Sequence, residues 1–137
     1  MKALLYISLL ADNQPVNYGN AVVDQVKKQF PEVAMLDVDS KSDQLVLHYA
    51  KQMLQTADQL IVCVDSATPD ADFGSIFPLV ELLLENPKEQ LILFRNEHTR
   101  LQRMVQARPE LKAVLVNSED KLLEQVKHVF ISVGISK

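Results

Sequence analysis

The sequence alternates. Five apolar runs are each followed by a stretch whose apolar residues return at three- and four-residue spacing. The runs are Ala3–Leu10, Val33–Val38, Leu60–Val64, Leu91–Phe94 and Ala113–Val116. A strand apolar at consecutive positions has no polar face to offer water, so it implies burial on both sides, as when helices cover a parallel sheet from either face. Strict β-α alternation makes the sheet doubly wound. The expectation is one α/β domain over residues 1–137, a three-layer α/β/α sandwich with a five-stranded parallel sheet in the order 2-1-3-4-5. In such sheets ligands gather at the carboxyl ends of the strands, beside the switch point.

The helical stretches have readable limits. The first runs from about Tyr18 to Phe30, burying Val22, Val26 and Phe30, and Pro31 stops it because proline donates no backbone hydrogen bond. The second opens at Ser40 or Ser42 as N-cap and carries Val46, Tyr49, Ala50, Met53, Leu54 and Ala57 along one stripe. The third spans about Ile76 to Leu84 and ends before Pro87. The fourth covers about Thr99 to Ala107, and the last begins near Ser118, burying Leu122, Leu123, Val126, Val129 and Phe130. The third is apolar almost all round, so it needs cover on more than one side: neighbours within the domain, or a second copy in a homodimer.

Charge and composition narrow the function. A net charge of −4 gives no general attraction to nucleic acid or anionic membrane. No apolar stretch reaches the roughly 20 residues that span a bilayer. Met1-Lys2 before Ala3–Leu10 superficially resembles a signal peptide, but no small-residue cleavage site follows and Asp12 comes too soon. The single cysteine, Cys63, sits in an apolar run as inert core and fits a reducing cytoplasm. No Cys/His/Asp grouping has metal-ligand spacing, and no Ser-His-Asp order marks a triad, so no catalytic side chain is assigned. His48 and His128 fall within helices as surface or boundary residues.

Three loops should meet at the carboxyl edge: Ser8 with residues 11–20, Asp65 to Ser75, and Arg95 to Arg100. Here Leu5-Tyr6-Ile7-Ser8, then Asn17-Tyr18-Gly19-Asn20-Ala21, then Thr56-Ala57-Asp58-Gln59-Leu60-Ile61-Val62 and Gly74-Ser75-Ile76-Phe77-Pro78 together resemble the flavodoxin-like NAD(P)H-dependent FMN and quinone reductases. The resemblance implies a flavodoxin-like fold and an oxidoreductase passing electrons from NAD(P)H through FMN to a flavin or quinone. It implies Ser8, Asn17, Tyr18, Gly19 and Asn20 at the FMN phosphate, and Ser66, Thr68, Gly74 and Ser75 bordering the ring. The chemistry would be the flavin's own. The chain departs from the family in having no Arg or Lys in the first loop, and in placing Asp12, Asp70 and Asp72 where an anionic cofactor would meet them.

Other readings share the scaffold. One is a non-catalytic signalling or interaction module that has lost the cofactor. Asp65, Pro69 and Asp72 also look like the phospho-acceptor loop of receiver domains, but Leu9-Leu10-Ala11 and Asn117 stand where an acidic pair and a lysine are needed. Nucleoside deoxyribosyltransferases are a further comparison, with Glu81 too far from Gly74 for their nucleophile and better placed as a solvated position. Arg95, His98, Arg100 and Arg103 form the remaining polar cluster, expected to balance Asp70 and Asp72 or to lie solvated rather than to hold an anion.

Overall fold

The structure is a computed structural model that describes residues 2–11, 21–85 and 90–135, with side chains described as far as Phe130. Asn17, Tyr18, Gly19 and Asn20, and with them Asp12, lie outside the described residues. The order of elements is β1 (Lys2–Leu9), α1 (Ala21–Gln29), β2 (Ala34–Asp39), α2 (Gln44–Thr56), β3 (Gln59–Ser66), a 3₁₀ turn (Gly74–Ile76), α3 (Phe77–Glu85), β4 (Gln90–Phe94), α4 (Thr99–Gln106), β5 (Lys112–Leu115) and α5 (Glu119–Ile135). The strands form one all-parallel sheet in the order β2-β1-β3-β4-β5, which is the flavodoxin-like arrangement.

Alternation along the strands divides the core. Ala3, Leu5, Ile7 and Leu9 face α2, α3 and α4, joined there by Leu47, Leu54, Leu79, Leu83, Leu101 and Val105. Leu4, Tyr6, Ile61, Cys63 and Leu93 face α1 and α5, against Val22, Val26, Leu122, Val126 and Phe130. Phe30 closes that layer edge-on to Phe130 at 5.6 Å between ring centroids. Each fully buried Leu, Ile or Val contributes about 1.5–3 kcal/mol, so these two layers supply the main stabilising free energy.

Burial on both faces holds for β1, β3 and β4 but not for the two edge strands, β2, where Asp37 is exposed, and β5, where Leu115 is 44 % exposed. An edge strand has a neighbour on one side only, and apolar sequence alone does not make it central. In α2 the N-cap is Asp43, whose carboxylate accepts from the Val46 amide at 3.0 Å, instead of Ser40 or Ser42. Those serines serve the preceding turn: Ser40 Oγ accepts from the Leu10 amide and Ser42 Oγ from the Asp39 amide. Leu47 takes the core position expected of Tyr49, which is 54 % exposed.

The apolar third helix finds cover within the domain. Leu79, Val80, Leu83 and Leu84 are buried, Phe77 and Leu82 pack partly buried against the same layer, and Glu81 is exposed as expected. It packs between the sheet and α2, so sinking into the domain accounts for most of its apolar surface.

Candidate functional site

Register sets the geometry of the carboxyl edge. Ser8 lies opposite Asp39 on one side and Asp65 on the other, and Leu9 opposite Ser66, so β1 and β3 end level with each other at the switch point. Beyond them the segment from Thr68 to Asp72 forms a ridge. On its β1 side is a crevice of about 430 Å³ lined by Leu10, Ala11, Thr68, Asp70, Ala71 and Asp72. On its α4 side a second cavity of about 380 Å³ lies among Asp70, Asp72, His98, Arg100, Arg103 and Met104. Both volumes fall within the range of small-ligand sites.

The hydroxyls expected to border a ligand are largely spent inside the fold. Ser66 is 1 % exposed and donates to the Glu97 carbonyl at 3.0 Å. Thr68 donates to Asp70 Oδ1 at 2.9 Å and is the one expected ring neighbour that lines the crevice. The Ser75 hydroxyl donates to the Ser42 carbonyl at 2.7 Å, while its amide donates to the Ser40 carbonyl at 3.0 Å. Ser8 is half-buried, and its carbonyl accepts from the Ser40 amide.

Gly74 has φ +56°, and a Cβ there would sit 2.1 Å from the Ser40 carbonyl oxygen. Both facts demand glycine. Gly74 and Ser75 therefore fasten the start of α3 to the β2–α2 turn.

The sequence reading missed a polar network on the α1/α5 face. Tyr6, 1 % exposed, donates its hydroxyl to Asp65 Oδ2 at 2.9 Å and accepts from Arg95 Nη1 at 3.3 Å. Asn96 Nδ2 donates to Asp65 Oδ1 at 3.0 Å. Arg95 also lies 3.7 Å from Asp65 and 3.8 Å from Glu119. Burial pushes the Tyr6 phenol well above its ordinary range; the hydrogen bond from Arg95 opposes this and the Asp65 charge adds to it. The Tyr6 hydroxyl and the neighbouring carboxylates hold Arg95 firmly protonated.

A signal was present. The register Val64 opposite Phe94 sets Arg95 beside Asp65, and alternation puts Tyr6 on Asp65's face, two residues from its cross-strand level. Both Asp65 oxygens are held by protein donors, an arrangement that suits a structural carboxylate better than a phospho-acceptor.

The expected balance of Asp70 and Asp72 against Arg95 and Arg100 is not found. Among the described residues Arg95 pairs with Asp65 and Glu119, because β4 runs beside β3 and β5 and its end faces α5. The guanidinium carbon of Arg100 stands 5.1 Å from the Phe73 ring centroid and 5.4 Å from that of Phe77. His98 is not a solvated cation but a buried cap, 1 % exposed. Its Nδ1 accepts from the Leu101 amide at 3.1 Å and its Nε2 donates to the Ala71 carbonyl at 2.7 Å, the tautomer these two partners require. Cys63 is buried as expected, and burial raises its thiol far above the reactive range.

The described wall fits an anionic flavin poorly. Its carboxylates oppose negative charge, and three of the four expected ring neighbours are engaged elsewhere. No group of three or more His, Cys, Asp or Glu residues is placed to hold a metal among the described residues. Nor is any helix of the described residues long and apolar enough to cross a membrane. No family model, curated protein or solved structure matches the chain.

Proposed function

We propose that this chain is a flavodoxin-fold binding module that has given up flavin chemistry and acts through a small charged ligand at the carboxyl edge of its sheet. The observation that carries the reading is the ridge bearing Asp70 and Asp72, which walls the switch-point crevice with negative charge where the ring of an FMN would lie. A ring that becomes anionic on reduction would be opposed there at every turn of the cycle. The setting proposed is cytoplasmic, in keeping with a lone, fully buried cysteine. The test is the visible spectrum of the purified protein together with its melting temperature in FMN. A native-state ligand must raise the melting temperature by mass action. The reading expects a colourless protein and no rise; a yellow protein, or a rise saturating in FMN, defeats it.

The second reading is the NAD(P)H-dependent FMN or quinone reductase that the sequence resembles. The position of the crevice favours it, because doubly wound sheets take their ligands at this switch point. The phosphate would then fall to Asn17, Tyr18, Gly19 and Asn20, and Thr68 would border the ring. The same spectrum and melting curve decide between the two.

A homodimer belongs to the proposal as well, with its contact moved from α3 to α2. Leu45 and Tyr49, 62 % and 54 % exposed, are the large apolar residues this helix leaves uncovered. Light scattering of the wild type and of Leu45→Glu at tens of micromolar tests it. A dimer that the substitution makes monomeric is expected, and a wild-type monomer contradicts it.

A further inference from the structure

The cavity on the α4 side of the ridge has walls of opposite charge that do not neutralise each other. Asp70 and Asp72 stand on one wall, Arg100 and Arg103 on the other. Among the described residues no ion pair within 4.0 Å joins the two walls of this cavity. Asp70 receives a hydrogen bond from Thr68, and the side chains of Asp72 and Arg103 have no polar partner among the described residues. The guanidinium carbon of Arg100 lies 5.1 Å and 5.4 Å from the Phe73 and Phe77 ring centroids, cation–π contacts that hold its charge at this wall with no carboxylate partner within 4.0 Å among the described residues.

The gap between the walls is fixed. The Thr99 amide donates to the Pro69 carbonyl at 2.9 Å, and His98 ties Ala71 to the first turn of α4 through both ring nitrogens. These bonds hold the ridge and the helix at a set separation, so little ordering remains to be done on binding. Ala71 and the partly buried Met104 give the floor an apolar patch.

We infer that this cavity binds a small zwitterion of the free α-amino-acid type, its carboxylate on Arg100 and Arg103 and its ammonium on Asp70 and Asp72. A plain anion would meet the aspartates and a plain cation the arginines, whereas a ligand carrying both charges satisfies both walls. The inference rests on the reading of the domain as a binding module and supplies the ligand's chemical class.

The experiment is titration calorimetry and thermal melting of the full chain against each of the twenty free L-amino acids at up to about 10 mM, a range covering affinities of the mM class and tighter. At least one should bind and raise the melting temperature. Its N-acetyl and its methyl-ester derivatives, each lacking one charge, should both lose at least about tenfold in affinity. Asp72→Asn and Arg103→Gln, two exposed positions whose side chains have no polar partner among the described residues, should leave the ligand-free melting temperature unchanged and weaken binding by a similar factor.

The inference is overturned if no amino acid binds, if the blocked derivatives bind as well as the parent, or if both variants bind as the wild type does. FMN run in parallel separates the two claims. Silence from both FMN and the amino acids removes the zwitterion and leaves the flavin-free reading standing, whereas FMN binding removes that reading itself.

Discussion

Tyr6 shows how one residue couples fold and edge. Its ring packs in the layer under α1 and α5 while its hydroxyl holds Asp65 at the end of β3. Tyr6→Phe keeps the ring and takes one donor from Asp65; about 1–2 kcal/mol of stability should be lost in urea unfolding. The same change has a pH signature. Because burial raises the phenol above its ordinary value near 10, the unfolded chain releases this proton first. The contribution of Tyr6 is therefore fully present below about pH 10 and is lost as pH rises above it. Cys63, also raised by burial, adds a fall of the same sign beginning near pH 9. Between pH 10 and 11 the stability of Tyr6→Phe should fall less steeply than that of the wild type; equal slopes contradict the buried phenol. His98 gives the second residue-scale expectation. His98→Ala deletes a cap and strands the Ala71 carbonyl, and should cost about 1–3 kcal/mol. Histidine is an uncommon N-cap, so nothing in the local sequence marked it as one, and reading it as a free cation followed from composition alone.

At the scale of elements, the strands and helices were legible because each carries a period that only one kind of structure satisfies. Leu122, Val126 and Phe130 face the core as their spacing predicts. Boundaries moved by a residue or two where capping chemistry decided them, as at Asp43. Gly74 was legible as a special position, but its packing against the turn after β2 was not. A positive φ and a carbonyl 2.1 Å from an added Cβ are long-range facts, set by how the turn after β2 meets the start of α3. Gly74→Ala should therefore destabilise the domain whether or not a ligand binds, by about 1–3 kcal/mol for the backbone strain, with displacement of the Ser40 carbonyl adding to that. A chemical denaturation midpoint equal to the wild type would contradict the tether. The third helix makes the complementary point. Its apolar surface could equally have met a second copy, and only the packing of α3 against the sheet and α2 settles where most of it goes.

The whole molecule is a flavodoxin-like sandwich with an acidic ridge at the carboxyl edge of its sheet. Sheet order brings the ends of β1, β3 and β4 side by side, which the sequence foretold, and the loops then carry charges that sequence spacing could not pair correctly. Arg95 turned to Asp65 and Glu119, so the ridge carboxylates were left facing two cavities. If those carboxylates are what exclude an anionic cofactor, removing them should restore some affinity for it. The decisive measurement is flavin fluorescence during titration of FMN with the wild type and with the Asp70→Asn/Asp72→Asn double variant. The account predicts no saturable quenching by the wild type and measurable binding by the variant, with melting temperatures of the two proteins alike in the absence of flavin. Stoichiometric quenching of FMN by the wild-type chain would contradict it.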